Sequence, residues 1–161
     1  MNPMKPINFG FWVAALSSVV GFLVVSYFYL GDIVSPKYGT LWWRVFLANT
    51  MGIALALVIS WLTEYFTATD KKPVTEIAYA SRTGPATLIL SGFAAGLDSS
   101  VWAILAIAAT IFGAFSIFGG SVSLSAYGIA LAGLGLLATT GFVLAEDTFG
   151  PISDNASGIF E

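Results

Sequence analysis

The chain contains no cysteine and no histidine in its 161 residues. These residues therefore cannot form a disulfide, a Ser-His-Asp or Cys-His catalytic centre, or a zinc site built on imidazole or thiolate. Charge is also scarce, because Asp, Glu, Lys and Arg make up only 9% of the chain, against about a quarter in soluble domains. The net charge is −3 and the bases are scattered, which argues against nucleic acid as a partner. Carboxylates without soft ligands suit hard cations such as Mg²⁺ or Ca²⁺.

Long apolar runs make up most of the chain. Hydrophobic residues account for 57% of it and the mean hydropathy is +0.87, so there is too little polar surface for a fold in water. A helix that spans a bilayer needs about 20 mostly apolar residues. We therefore predict an all-α membrane protein, with residues 1–161 forming a single membrane domain of four transmembrane helices, at about 9–30, 41–66, 85–118 and 125–160. The first run is longer than the core of a secretory signal peptide and has no clear cleavage site, so we expect a retained helix.

Lysine and arginine fall unequally on the two sides of the predicted membrane domain. Because cytoplasmic loops of membrane proteins carry the excess of these bases, we expect the N-terminus, the 64–84 connection and the C-terminus to be cytoplasmic. The expected location is a multi-pass position in the cell inner membrane. One side carries Lys5, Lys71, Lys72 and Arg82, and the other carries Lys37 and Arg44.

The third and fourth apolar runs are too long for the bilayer alone. A helix over 85–118 is about 50 Å long, against a hydrocarbon core of about 30 Å, and tilt absorbs only part of the excess. We therefore expect the second, third and fourth helices to project together on the cytoplasmic side. Small residues at 92–96, with a GxxxG pattern, and at 127–135 favour close helix packing.

The last sixteen residues, 146–161, contain four acids and no base. Asp147, Asp154 and Glu161 are spaced by seven residues, so a helix would place them on one face, about 10 Å apart along its axis. That separation is too large for the three acids to bind one metal ion together, but it suits successive ion-binding positions along a path. We expect Pro151 to bend this helix. The alternative is an acidic, frayed chain end, but the intervening residues are more apolar than such an end requires.

Two stretches of sequence match a known family. The first consists of TEYFT at 63–67, KPVTEIA at 72–78 and ASRTGPAT at 80–87, and the second is DTFGPISDNASGI at 147–159. Both resemble signature segments of membrane-embedded, ion-translocating inorganic pyrophosphatases. The departures are mild, since Ser157 replaces a glycine and Asp98 stands where the family often has Glu.

The resemblance implies a subunit of about sixteen helices, of which this chain looks like helices eight to eleven. Such a subunit, usually in a homodimer, hydrolyses pyrophosphate and pumps H⁺ or Na⁺. By motif, Asp154 matches a carboxylate that holds Mg²⁺, and Asp147 matches one associated with ion transport. The resemblance assigns no catalytic residue among these positions. Supporting candidates are Glu64, Asp98, Asn155 and Glu161.

The expected cofactor is Mg²⁺, with K⁺ as a second candidate that the sequence does not decide. The expected partners are pyrophosphate in the complete protein, the lipid bilayer and the rest of the helix bundle. One aspartate cannot assemble a Mg²⁺ cluster, so we expect residues 1–161 alone to be inactive. Two other interpretations stay open: a non-enzymatic polytopic subunit or cation-channel-like protein whose acids line an ion path, and a purely structural bundle with an acidic tail.

Overall fold

The computed structural model describes residues 4–36, 38–119 and 121–160, and these are almost entirely helical. A short antiparallel hairpin connects the first two helices, with Val34 paired to Thr40 and Ser35 to Gly39. This architecture confirms the predicted all-α class. The elements in chain order are α1 (Met4–Leu30), β1 (Val34–Ser35), β2 (Gly39–Thr40), α2 (Trp42–Thr67), α3 (Lys72–Ala80), α4 (Pro85–Ile117), α5 (Val122–Leu137) and α6 (Thr140–Phe160).

Four helical stretches in the described chain are long and apolar enough to cross a bilayer: 5–30, 42–83, 85–117 and 122–160. Their number confirms the prediction from hydropathy. In the stretch 85–117 only 6% of the most apolar window is buried, so most of its apolar surface faces outward. Lipid or further protein segments can cover such a surface. We call the end of the bundle that holds residues 64–84 the charged end, and the end that holds the β1–β2 hairpin the hairpin end.

The closest helix pair is α2 with α5, and two glycines make this approach possible. A Cβ atom on Gly52 would lie 1.9 Å from the carbonyl oxygen of Ala132, and one on Gly135 would lie 2.0 Å from that of Asn49. Both distances are far below van der Waals contact, so only glycine fits. Since lipid gives helices no hydrophobic force toward each other, close backbone contact is the main source of attraction.

The predicted fourth helix, 125–160, is divided in the structure. α5 ends at Leu137 and α6 begins at Thr140. The N–H of Ala138 donates to Gly135, a tightened i→i−3 bond, and the carbonyl of Thr139 then accepts from residues 142 and 143 as the next helix begins. Threonine and glycine at 139–141 have low helix propensity, which explains why the break occurs here. Pro151, where we expected a bend, lies inside the continuous helix α6.

Arg44 joins two helices at the hairpin end. Its guanidinium carbon lies 4.8 Å from the ring centre of Trp43 and 5.9 Å from that of Tyr38, and its Nη1 donates to the carbonyl of Ile117. Ile117 is the last residue of α4, where carbonyl groups lack partners within the helix. Arg44 therefore caps α4 and complements the negative end of its dipole.

The charged end is built around α3, which packs on α2 and α4. Lys72 and Glu76 form an exposed ion pair at 3.4 Å on this helix. Gly84 adopts φ +125°, a conformation that favours glycine, and turns the chain into Pro85, the first residue of α4. The 64–84 connection thus consists of the end of α2, the short helix α3 and the turn at Gly84.

Candidate functional site

Helix α6 carries both aspartates that the sequence singled out, and it stands apart from the other described helices. Its first turn is held by α1, because the rings of Phe11 and Phe142 lie 5.9 Å apart. From residue 147 onward every described residue is exposed. These residues include apolar side chains such as Phe149 and Ile152, which are 66% and 57% exposed. This part of α6 therefore offers a long surface that lipid or other protein segments can cover.

Asp147 and Asp154 lie two turns apart on α6, about 10 Å along the helix axis. Their spacing of seven residues places them on the same side of the helix. Neither carboxylate forms a hydrogen bond or ion pair with another residue of the described ranges. Both are thus available for ions or for groups outside the described chain. Glu161, the third member of the predicted stripe, lies outside the described residues.

The donor set at this helix does not complete a magnesium site. Among the described residues there is no group of three or more acidic, histidine or cysteine side chains that could hold a metal ion. Asp154 and Asn155 are hard oxygen ligands of the right kind, but adjacent residues on a helix point about 100° apart. Mg²⁺ requires close to six oxygen ligands in octahedral geometry. The residues present fit the role of one contributor, and a complete site would need ligands from elsewhere.

Glu64 lies at the end of α2 and is linked to the beginning of α1. The Nδ2 atom of Asn8 donates to its Oε2 atom at 3.1 Å, across 56 residues of sequence. This bond joins the charged ends of two apolar helices. The sequence indicated Glu64 as a supporting residue, but it did not indicate Asn8. The signal was an isolated amide near the start of a long apolar run.

Asp98 lies in a polar cavity at the charged end rather than alone in an apolar helix. The cavity has a volume of about 350 Å³, and Tyr65, Lys72 and Glu76 line it together with Asp98. Asp98 is thus beside the last turns of α2, and from here to the end of α4 the helix is about 28 Å long, close to the thickness of the hydrocarbon core. A base in the same cavity as Asp98 could not be predicted from the sequence, because it depends on how α3 packs against α4.

The structure does not bring the candidate residues into one site. Asp147 and Asp154 are exposed on α6, Asp98 lies in the cavity beside α3, and Glu64 contacts α1. One further acid, Glu146, lies in a second cavity near Glu64. The described residues therefore supply scattered carboxylates on several faces of a bundle.

A protein-family model and several known proteins each match nearly all of this chain. The family model described as inorganic H⁺ pyrophosphatase matches residues 1–161. A protein of Chloroflexus aurantiacus, named K(+)-insensitive pyrophosphate-energized proton pump, is 44% identical over 165 residues, which cover 99% of this chain and 21% of the relative. A protein of the same name from Streptomyces coelicolor is 42% identical over 169 residues, covering 98% of this chain and 21% of the relative.

A third relative is named as a sodium pump rather than a proton pump. The protein of Clostridium tetani named putative K(+)-stimulated pyrophosphate-energized sodium pump is 35% identical over 162 residues, covering 99% of this chain and 23% of the relative. The chain spans about a fifth of the length of these curated relatives.

Proposed function

The chain belongs to the inorganic H⁺ pyrophosphatase family, and from this premise we propose that it forms one part of a pyrophosphate-energised ion pump. The observation that carries the proposal is the match of the family model over residues 1–161. It includes the stretches 63–87 and 147–159, on which the resemblance was first seen. The four apolar helical stretches agree with an integral membrane protein.

The pumped ion is proposed to be H⁺, without a requirement for K⁺. This assignment is supported by the names of the relatives that are 44% and 42% identical, both K(+)-insensitive proton pumps. Sodium is the second candidate, since the relative that is 35% identical is named a putative sodium pump. The identity is higher with the two proton pumps, which favours H⁺.

Asp154 is proposed to be one of several carboxylates that hold Mg²⁺ at the hydrolytic centre. Pyrophosphate is highly negative, so carboxylates cannot bind it directly. Bound magnesium would neutralise phosphate charge and position an attacking water. The contribution of this chain is the position of Asp154 on the exposed part of α6, with Asn155 next to it in sequence and Glu161 as a further candidate oxygen ligand. Asp147, two turns closer to the bundle, is proposed to act in ion transport.

The charged end is proposed to face the cytoplasm, and the membrane is proposed to be the cell inner membrane. Four of the six bases, Lys5, Lys71, Lys72 and Arg82, belong to this end by sequence, as the positive-inside rule requires. With Asp98 beside the end of α2, the preceding part of α4 would extend beyond the hydrocarbon core at this end. Pyrophosphate would bind on this side.

The remaining partners are proposed to be the rest of a bundle of about sixteen helices and a second copy in a homodimer. The exposed apolar faces of α4 and α6 support a larger assembly, because the described helices leave them uncovered. Since the described residues contain no complete metal-binding group, residues 1–161 alone are proposed to be inactive. Glu64 and Asp98 would then be supporting residues that order the charged end.

The test is reconstitution of the protein encoded by the complete reading frame. The purified protein is placed in sealed liposomes, and pyrophosphate with Mg²⁺ is added outside. We expect phosphate release together with acidification of the interior, unchanged when K⁺ or Na⁺ is omitted. Uptake that requires Na⁺ would favour the sodium pump instead. Ion flow without any hydrolysis of pyrophosphate would reject the proposal in favour of a channel-like protein.

A further inference from the structure

The beginning of α6 is attached to α1 by an aromatic contact. The ring of Phe142 packs on α1 beside Gly10, and its centre lies 5.9 Å from that of the Phe11 ring. Phe11 is only 8% exposed, so the contact is well packed on the α1 side. From residue 147 onward every described residue of α6 is exposed. Within the described bundle, the direction of α6 is therefore set close to its first turn.

Gly10 allows Phe142 to lie this close to α1. A Cβ atom on Gly10 would lie 2.6 Å from the Cε2 atom and 2.8 Å from the Cζ atom of Phe142, whereas ordinary contact begins at 3.4 Å. The aromatic ring thus occupies the space that a larger residue on α1 would fill. A Cβ atom on Gly21 of the same helix would have no atom within 4 Å. The two glycines share a helix and differ in what lies against them.

The break between α5 and α6 is a point at which α6 can change direction. α5 ends at Leu137 and α6 begins at Thr140, and the regular i→i−4 bonds give way to a tightened bond at residue 138. α5 itself is fixed, because Gly135 lies directly against the backbone of α2. Sharp changes of helix direction occur where the i→i−4 ladder is interrupted. The contact of Phe142 with α1 is therefore needed to hold the direction of α6.

Phe142 lies close to this break and Asp154 lies far from it. Phe142 is three residues beyond Thr139, about 4.5 Å along the helix axis, and Asp154 is fifteen residues beyond it, about 22 Å. A rotation of α6 about Thr139 that moves Phe142 by about 1 Å therefore moves Asp154 by about 5 Å. A displacement of about 1 Å in an active site can cost about 100-fold in rate. The position of Asp154 thus depends strongly on where the ring of Phe142 lies.

We propose that Phe142, packed on Gly10, is a positioning residue that sets the direction of α6 and thereby the location of Asp154. Phe142 acts through the helix that carries Asp154, which lies twelve residues further along the chain. The consequence for activity rests on the proposed function, in which Asp154 holds Mg²⁺. The direction of α6 does not, because it can be measured without any reaction.

The test measures the direction of α6 in the complete protein by pulsed electron spin resonance. Spin labels are attached through Ala78→Cys on α3 and Ser157→Cys on α6, two exposed positions, in a background without other reactive cysteines. The distance between the labels is compared in Gly10→Ala and in its matched control Gly21→Ala. A further variant combines Gly10→Ala with Phe142→Leu, since leucine lacks the outer ring atoms that the added methyl group would meet. Phosphate release and Tm are measured on the same variants without labels.

We expect Gly10→Ala to change the distance between the labels and Gly21→Ala to leave it unchanged. The ring must move by about 0.8 Å, from 2.6 to 3.4 Å, and α6 enlarges this shift to as much as about 5 Å at residue 157. The combined variant should return most of the distance. Phosphate release should fall about 100-fold in Gly10→Ala, with a higher Mg²⁺ requirement, and should recover in the combined variant. A purely structural role would lower the Tm without moving this distance.

Two results would overturn the proposal. The first is an unchanged label distance in Gly10→Ala, which would mean that helices outside the described chain fix the direction of α6. The second is a changed distance with undiminished phosphate release, since Phe142 would then not position Asp154 for the reaction. If Gly10→Ala fails to fold, Phe142→Ala decides the question, because it removes the ring without adding an atom to α1 and should broaden the distance distribution. A wild-type protein that releases no phosphate would instead reject the proposed function and leave the label distances to be judged alone.

Discussion

The contact of α2 with α5 should fail when a single methyl group is added at Gly135. A Cβ at this position would lie 2.0 Å from the carbonyl oxygen of Asn49, 2.8 Å from its carbon and 3.0 Å from its Cα. Ordinary contact begins at 3.4 Å, and the atoms in the way belong to the backbone. The two helices must therefore separate by more than an ångström, because no side chain can rotate to make room.

The expected loss of stability follows from two opposing effects. Alanine is favoured over glycine in a helix by about 0.5–1 kcal/mol. Overpacking of a well-packed interface costs about 1–3 kcal/mol, and the upper part of this range applies because backbone is displaced. We expect Gly135→Ala to lower the free energy of unfolding by about 2 kcal/mol. Gly133→Ala should be neutral or slightly stabilising, because Gly133 lies on the same helix with no atom within 4 Å of its added Cβ.

The measurement is SDS-induced unfolding of the complete protein in detergent, followed by tryptophan fluorescence. The pair Gly135→Ala and Gly133→Ala shares its chemistry, its helix and its effect on the unfolded chain, so only the α2–α5 contact differs. Equal midpoints for the two variants would show that these helices do not approach as closely as described.

Three further substitutions test other parts of the bundle. Arg44→Ala should lower the free energy of unfolding by about 1–2 kcal/mol in the same titration, because the carbonyl of Ile117 loses its cap. Arg44→Lys should restore only part of this stability. An unchanged midpoint for Arg44→Ala would contradict the contact. Lys72→Glu adds a third acid to the cavity of Asp98, and the added repulsion should speed trypsin cleavage of the 64–84 connection. Lys72→Gln should speed cleavage less. Equal cleavage rates for the two variants would exclude charge repulsion as the cause of faster cleavage. Asp147→Asn should reduce proton uptake in proteoliposomes more than phosphate release, and equal losses would count against a role in ion transport.

The spans were predictable because a bilayer imposes a simple requirement on sequence. About 20 mostly apolar residues are needed whatever the neighbouring helices are, so the predicted bounds of α2 and α4 agree with the structure to within one residue and those of α1 to within five. The break at Ala138–Thr139 was not predicted, since the sequence stays apolar immediately before and after it. Only the backbone hydrogen bonds at this point distinguish two helices from one.

Helix packing was predicted only in part. The small residues at 127–135 include Gly135, which does meet α2. The GxxxG pattern of Gly92 and Gly96 has no atom within 4 Å of either added Cβ in the described bundle, so these two glycines touch none of its helices at close range. Gly52, at the tightest point, belongs to no GxxxG pattern, but it stands four residues from both Ala48 and Ala56, which is the same small-residue spacing. Spacing shows that a helix face is small, but it does not show which neighbour that face meets.

The candidate site residues were likewise predictable only in part. The shared helix face of Asp147 and Asp154 could be predicted from their spacing, because both lie on α6. The surroundings of Glu64 and Asp98 could not be predicted, since Asn8 donates to Glu64 from α1 and Lys72 lines the cavity of Asp98 from α3. Glu146 was not predicted as a site residue for a similar reason. It follows no periodic pattern, and its unpartnered oxygen is evident only once α6 is placed beside α2.

We propose that α6 presents Asp154 as a magnesium ligand in the complete protein. The most direct measurement is the Mg²⁺ dependence of phosphate release by the complete protein with Asp154→Ala, compared with Glu76→Ala as a control acid on the exposed face of α3. We predict that Asp154→Ala lowers turnover by about 100-fold or more, since metal stabilisation of the transition state amounts to several kcal/mol, while Glu76→Ala retains its activity. Unchanged turnover and an unchanged Mg²⁺ requirement in Asp154→Ala would contradict the claim.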